Sequence, residues 1–299
     1  MREYNLKNIK QDFKEKGIFY TPPELALFLK SLLPEDVKEI YDPTCGNGSL
    51  LSVFDDNVIK YGQDINAEQV EIAMGRLKNF NGVVGDTLKN PAFLDKKFDA
   101  IVANYPFSIK WNPIKDERFA NVPDIPTQSK ADYAFILHII YYLSNVGKAA
   151  TLNFPGILYR GGREGIIRKW LVENNYIEKI ISIEGNKFTD TKIATVAIVF
   201  NKSKKDNNIV FVQGDIEKSV SLKEIEENNF ILSPNCYIEE KTEEIQIDPV
   251  KLEMDIRKVT INNLRRTLEI SKLVDNFEDG KMNFQALLDD IKTVVKEFE

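Results

Sequence analysis

Between about residues 19 and 200 the chain alternates short apolar runs with amphipathic stretches. Strand-like runs stand at 38–42, 58–62, 82–84, 98–103, 148–154, 178–184 and 193–200. Helical patterns fall between them, at 23–33, 49–55, 66–79, 131–146 and 163–174. The first has Thr21 placed as an N-cap and Pro22 or Pro23 in its opening turn. Parallel strands need a crossover between them, and a helix usually supplies it. Regular alternation therefore predicts an α/β fold, a mostly parallel sheet with helices on both faces. Acidic residues stand at three strand ends, Asp42, Asp64 and Asp86, in steps of 22 residues. Such a step is close to one strand-plus-helix unit. The carboxyl ends of neighbouring parallel strands line one crevice, where open α/β sheets bind ligands.

The alternation breaks at Ser108–Ser129, which holds Trp111, three prolines and mixed charges. Long irregular loops are often functional, but a plain surface excursion fits this one as well. From about 208 the character changes. Ile209–Gln213 reads as one more strand and Asn228–Tyr237 as a loop. Val250–Phe277 and Met282–Phe298 read as helices separated by a turn at Glu278–Lys281, with Leu287, Ile291, Val294 and Phe298 at helical spacing. These patterns predict a catalytic domain over 1–207 and a mostly helical extension over 208–299, expected to bind a partner, with packing on the domain as the alternative.

Composition excludes several chemistries. A chain of 299 residues with 43% hydrophobic content can bury a large core and an appendage. Its net charge of −6 means that any nucleic-acid contact must come from a local basic face or a partner. Cys45 and Cys236 stand far apart without a CxxC, which argues against a disulfide framework or a zinc site, so no metal is expected. His138 is the one histidine and lies in an apolar helical run, where packing is a better account of it than catalysis. The N-terminal residues are polar and no apolar run reaches the ~20 residues of a membrane span, so a cytoplasmic protein is expected.

Two motifs carry chemistry. Asp42-Pro-Thr-Cys-Gly-Asn-Gly48 is a glycine turn directly after a strand, which lets backbone approach a small-molecule cofactor. Leu51 stands where a dinucleotide fingerprint would place its third glycine, which weakens a nicotinamide reading. Asp64 suits a ribose diol, and Asp86 an adenine amino group. Against this, strand-end aspartates often merely cap helices. The second motif, Asn104-Tyr-Pro-Phe107, also follows a strand. The Asn104 side-chain oxygen and a main-chain carbonyl near Tyr105 can accept from both hydrogens of a planar amino group. That favours a pyramidal nitrogen whose lone pair points at the sulfonium methyl of S-adenosylmethionine. Phe107 offers a stacking face for a flipped base, and Tyr105 a second aromatic wall. The bland alternative is a turn that ends a strand, with Phe107 in the core. Cytosine carbon methylation needs a thiolate, usually after proline, and Cys45 follows Thr44 while Cys236 follows Asn235. Arg160, Arg163, Arg168 and Lys169 surround Gly161-Gly162 and form a basic face for DNA phosphates, with Arg160 and Arg163 the main candidates. A solvated helix face with Glu164 and Glu173 as partners is the competing account.

Phe19-Tyr-Thr-Pro22, Asp42–Ser49, Gly62-Gln-Asp-Ile-Asn66 and Asn104–Phe107 occur in that order. The set resembles the amino-methylating DNA adenine methyltransferases of the gamma arrangement. Lys130-Ala-Asp-Tyr-Ala-Phe135, Pro155–Gly165 and Phe230–Asn235 narrow the resemblance to the modification subunit of type I restriction–modification systems. The resemblance covers about residues 17 to 200 and implies a Rossmann-like S-adenosylmethionine-dependent methyltransferase fold. It implies that Tyr20, Thr21, Asp42, Thr44 and the turn Gly46, Asn47 and Gly48 meet the methionine end of the cofactor. Asp64, with Ile65 beside it, would hold the ribose, and Asp86 the adenine ring. Asn104, Tyr105, Pro106 and Phe107 would form the catalytic loop around a target adenine, with Asn104 also beside the cofactor. It further implies DNA as substrate, a separate specificity subunit that joins two such chains, and a restriction subunit. Two departures stand out. The family usually has proline where Tyr105 stands, which predicts a looser loop. It also usually carries a helical N-terminal domain before the first motif, so this chain reads as a short or truncated form. A protein glutamine methyltransferase and a non-catalytic cofactor-binding scaffold are the competing functions.

Overall fold

A computed structural model describes residues 21–184, 194–239, 248–277 and 284–296 of the chain. It divides into two compact units, Met1–Glu240 and Lys241–Glu299.

One nine-stranded sheet carries the first unit. β1 (Glu39–Asp42), β2 (Ile59–Asp64), β3 (Phe80–Val84), β4 (Phe98–Ala103) and β5 (Leu143–Asn153) run parallel, in the spatial order β3-β2-β1-β4-β5. β7 (Thr195–Asn201) lies antiparallel between β5 and β6 (Ile177–Ile183). β8 (Ile209–Gln213) extends the sheet parallel to β6, and β9 (Ile216–Val220) returns antiparallel along β8. Every residue of β7 is buried, as are all of β4 except Asp99. A strand covered on both faces reads as a continuous apolar run for this reason.

The helices are α1 (Pro23–Ser31), α2 (Ala67–Arg76), α3 (Asp132–Tyr142), α4 (Arg163–Glu173) and the short α5 (Leu222–Glu227). Successive strand residues serve opposite faces. Ile40, Ala100 and Val102 pack with Leu25, Ala26 and Leu29 of α1 and Val70 of α2. Tyr41, Phe98 and Ala103 pack instead with α3 and with Ile167 and Leu171 of α4. Helices therefore cover both faces, as the alternation predicts.

Four local expectations are corrected. The stretch 49–55 forms only a 3-10 turn at Leu51–Val53, because Asp55-Asp56-Asn57 turns the chain straight into β2. The helix expected over 131–146 ends at Tyr142, where β5 begins and Leu143 pairs with Phe98. Thr21 is no N-cap: Pro22 holds that position without a side-chain bond. The boundary expected at 207/208 falls at 240/241, because β8 and β9 complete the sheet. Ile209, Phe211, Val220, Leu232 and Tyr237 join the core on the α3 side. The 108–129 segment runs over the surface, with most of its residues exposed, and is anchored by the buried side chains of Trp111, Arg118 and Phe119. Its base is closed by Trp111 N–H to the Gln128 carbonyl at 3.0 Å and Ala131 N–H to the Ile109 carbonyl at 2.8 Å.

In the second unit α6 (Pro249–Phe277) and α7 (Phe284–Lys296) realise the two expected helices. Leu287 and Ile291 are half-buried and Val294 is exposed. Met282, Phe298 and the expected turn at 278–281 lie outside the described residues. Among the described residues no helix is long and apolar enough to cross a membrane.

Candidate active site

The three strand-end aspartates share one local device. Asp42 accepts the Thr44 N–H at 2.9 Å, Asp64 the Asn66 N–H at 2.9 Å and Asp86 the Leu88 N–H at 3.0 Å. Each side chain thus turns the chain two residues on, which short acidic side chains do well. The capping alternative holds only in part, because α2 is capped by Asn66, which accepts from the Gln69 N–H. The other oxygens differ. Asp64 Oδ2 accepts the Gly46 N–H at 2.9 Å and so ties the end of β2 to the glycine turn. Asp42 is buried, and desolvation pushes its carboxyl up to about 7, with the nearby Asp64 charge adding and the Thr44 bonds opposing.

The glycine turn needs its glycines. Gly46 and Gly48 both sit at positive φ, +47° and +77°. A Cβ on Gly48 would lie 2.6 Å from Leu77 Cδ1, whereas one on Gly46 would meet open space. Asn47 is spent locally, accepting the Ser49 N–H at 3.1 Å. Cys45 is buried and burial pushes its thiol far up, so it acts as a packing residue. Thr44 and Asp86 are half-buried, and Ile65 is exposed beside Asp64.

Asn104 follows the last residue of β4, on the same carboxyl edge. Its Nδ2 donates to Thr21 Oγ1 at 3.0 Å. That bond orients the amide and leaves Oδ1 as its acceptor end. Pro106 and Phe107 are half-buried, and Phe107 meets the Tyr105 ring edge-on. Tyr105 is corrected on two points. Its side chain is no wall of the site, because it is 1% exposed and stacks on Phe135 inside the core. Its hydroxyl donates to Asn153 Oδ1 at the end of β5, so it anchors the loop that it was expected to loosen. The loop leaves through Ser108, whose N–H donates to Asp132 Oδ2 at 3.2 Å.

The basic face is also corrected. Arg160 is tied to Glu164 and lies 3.6 Å from Asp132, with its side chain 16% exposed, so it is not free for a phosphate. Arg168 is buried and donates to the carbonyls of Phe230, Ile157 and Arg160. Arg163 remains on the surface at the start of α4, 3.6 Å from Asp124. Tyr20 lies outside the described residues.

Three supporting residues escaped the sequence reading. Asn153 holds Tyr105, Asp132 holds the loop exit, and Arg118 reaches the turn after Asp86. Only Asp132 carried a signal, as part of the Lys130–Phe135 stretch. His138 is buried in α3 and accepts from Arg118 at Nδ1, 3.0 Å away. Its proton therefore sits on Nε2, which donates to the Tyr41 oxygen at 3.1 Å. Burial first, and the Arg118 charge second, push its pKa well down.

The order β3-β2-β1-β4-β5-β7-β6, with β7 antiparallel and an Asp/Gly carboxyl edge, is the Rossmann-like fold of the S-adenosylmethionine-dependent methyltransferases. The N-6 DNA Methylase family matches residues 1–218. The chain belongs to that family. It is 30% identical to the methylase subunit of the type I restriction enzyme MpnII of Mycoplasma pneumoniae, over 93% of this chain and 61% of that one. It is 27% identical to the HindI methylase subunit of Haemophilus influenzae, over 79% of this chain and 67% of that one. A solved type I restriction-modification methyltransferase subunit from Streptococcus thermophilus superposes with a TM-score of 0.68 at 28% identity, over 74% of this chain and 59% of that one. The chain thus spans about 61% of the length of the MpnII relative.

Proposed function

We propose that the chain transfers a methyl group from S-adenosylmethionine to the N6 amino group of adenine in DNA. We assign it as the modification subunit of a type I restriction–modification system, with the sequence read by a separate specificity subunit. The observation that carries this reading is the Asn104 amide, oriented by Thr21 beside the Asp42–Gly48 turn.

The residues at the carboxyl edge fit the cofactor. Asp42 is a buried carboxyl whose pKa is raised by desolvation, with the nearby Asp64 charge adding to it. A positively charged ligand group beside it would compensate that desolvation. Gly46 leaves open space where any other residue would place a Cβ. Thr21, Asp42 and Thr44 would then meet the methionine end, Asp64 and Ile65 the ribose, and Asp86 the adenine. When bound, the cofactor supplies an electrophilic methyl on sulfur.

The chain's own residues do the rest. Asn104 Oδ1 and a main-chain carbonyl near Tyr105 accept from the target amino group, localise its lone pair and stabilise the charge that develops on nitrogen. Phe107 stacks on the flipped base and offsets ~1–3 kcal/mol of the flipping cost. Tyr105 fixes the loop from below through Asn153. No covalent enzyme intermediate is needed. Arg163 is the remaining phosphate contact of the basic face. The helices α6 and α7 are the proposed contact for the specificity subunit, through which two copies and a restriction subunit would assemble in the cytoplasm.

The test is tritiated methyl transfer to adenine-unmethylated DNA, with and without a type I specificity subunit. Activity that requires Asn104 is the expected result. Equal activity of Asn104→Ala would overturn the mechanism.

A further inference from the structure

Arg118 lies in the long loop after the catalytic motif, yet its guanidinium is buried behind the turn that follows β3. Its Nη1 donates to the Thr87 carbonyl at 2.8 Å and to His138 Nδ1 at 3.0 Å. Nη2 donates to the Leu88 carbonyl at 2.6 Å and to Asp116 Oδ2, and Nε donates to Asp116 Oδ1 at 3.1 Å. A guanidinium has five N–H donors in a fixed fork, and every one of these is satisfied here. The turn it grips is the one that presents Asp86, whose Oδ1 accepts from the Leu88 and Lys89 N–H groups. The same turn is held from the other side, where the Thr87 hydroxyl donates to the Pro43 carbonyl next to Asp42.

We propose that Arg118 is a positioning residue for the adenine end of the cofactor, fixing the Asp86 turn through two main-chain carbonyls. Asp116 orients the guanidinium from within its own loop, and neutral His138 closes the remaining donor position. Arginine is required because lysine offers a point charge and no planar fork to span two carbonyls, an imidazole and a carboxylate. The loop that leaves the target-binding motif thereby shapes the cofactor pocket. This inference rests on the reading of Asp86 as the contact to the cofactor's adenine.

The test is calorimetric binding of S-adenosylmethionine to the full chain without DNA, for wild type, Arg118→Lys, Asp86→Ala and the double variant. Arg118→Lys is expected to weaken binding by about tenfold, equivalent to ~1.4 kcal/mol. In the Asp86→Ala background the same change is expected to cost less than about twofold, because the two act through one contact. A merely structural role would lower the melting temperature and leave the two losses additive. Asp116→Asn, a change at a partly exposed residue, replaces Arg118→Lys in the cycle if the latter does not fold. Wild-type affinity in Arg118→Lys, or additive losses, overturns the inference, whereas wild-type affinity in Asp86→Ala overturns the reading of Asp86 on which it rests. A wild type that does not bind S-adenosylmethionine would instead overturn the cofactor reading on which it rests.

Discussion

Asn104 and Thr21 lie far apart in sequence and meet at 3.0 Å. An asparagine amide has two nearly isosteric ends, and only the oxygen accepts from an amino group. Thr21 Oγ1 takes the nitrogen end and so presents the oxygen. Thr21→Val removes that acceptor, and we expect a fall in kcat of about tenfold, with Thr21→Ser close to wild type. Single-turnover methyl transfer measures both, and an unchanged kcat in Thr21→Val would show that the amide is oriented otherwise. Asp42 governs pH dependence. Its folded pKa of about 7 lies above the ordinary 3.8, so folding is disfavoured by this group as pH rises through that window, and no further above it. A cation bound beside the carboxylate lowers its pKa, and binding below pH 7 then releases a proton. Affinity for S-adenosylmethionine is expected to rise with pH, by up to about tenfold per unit, and to level off above about 7. Calorimetry across that range reads it, and Asp42→Asn should bind weakly at every pH with no such slope.

At the scale of elements, α3 carries the buried histidine that joins the long loop to β1. His138 accepts from Arg118 and donates to Tyr41, so it is held neutral. Its folded pKa is depressed from the ordinary 6.5, and unfolded chains bind the extra proton below that value. Stability is therefore lost as pH falls below about 6.5, by up to ~1.4 kcal/mol per unit from this group. His138→Gln can keep an acceptor and a donor but cannot titrate. Denaturant melts should show the wild type losing stability relative to the variant as pH falls, and parallel profiles would contradict a His138 held neutral in the fold. Much of this architecture was legible. The strand-end aspartates and the glycine turn are local patterns, and local patterns survive translation into structure. β9 was missed because four of its five residues are exposed, so it has no apolar run. Gly214-Asp215 before it was the available hairpin signal, with Gly214 at φ +58°. Tyr105 was misread because the sequence shows which residue replaces a proline but not that Asn153 lies opposite its hydroxyl. The burial of Arg160 is hidden for the same reason, since Asp132 is distant in sequence and the pairing with Glu164 is shielded only in the fold. Arg118 and Thr87 belong to different loops, and nothing in their spacing announces the clamp.

At the scale of the whole molecule, the sheet and every described candidate residue of the site belong to the unit Met1–Glu240. If this unit is the cofactor-binding domain, residues 1–240 alone should bind S-adenosylmethionine within about twofold of the full chain, well under the ~1.4 kcal/mol that a tenfold change represents. A loss of binding on calorimetry would mean that residues beyond 240 complete the site. The distinction matters because the chain matches relatives that are considerably longer, and the proposed role of α6 and α7 is assembly rather than chemistry. Among the described residues the site already holds an oriented amide, a stacking face, a buried carboxylate and a glycine turn on one sheet edge. The proposed chemistry of this edge is methylation of the adenine amino group. Its most direct measurement is nucleoside analysis of unmethylated DNA incubated with S-adenosylmethionine, the specificity subunit and either wild type or Asn104→Ala. N6-methyladenine is expected from the wild type, with a loss of at least about a hundredfold in the variant. N4-methylcytosine as the product, or N6-methyladenine formed equally by both proteins, would contradict it.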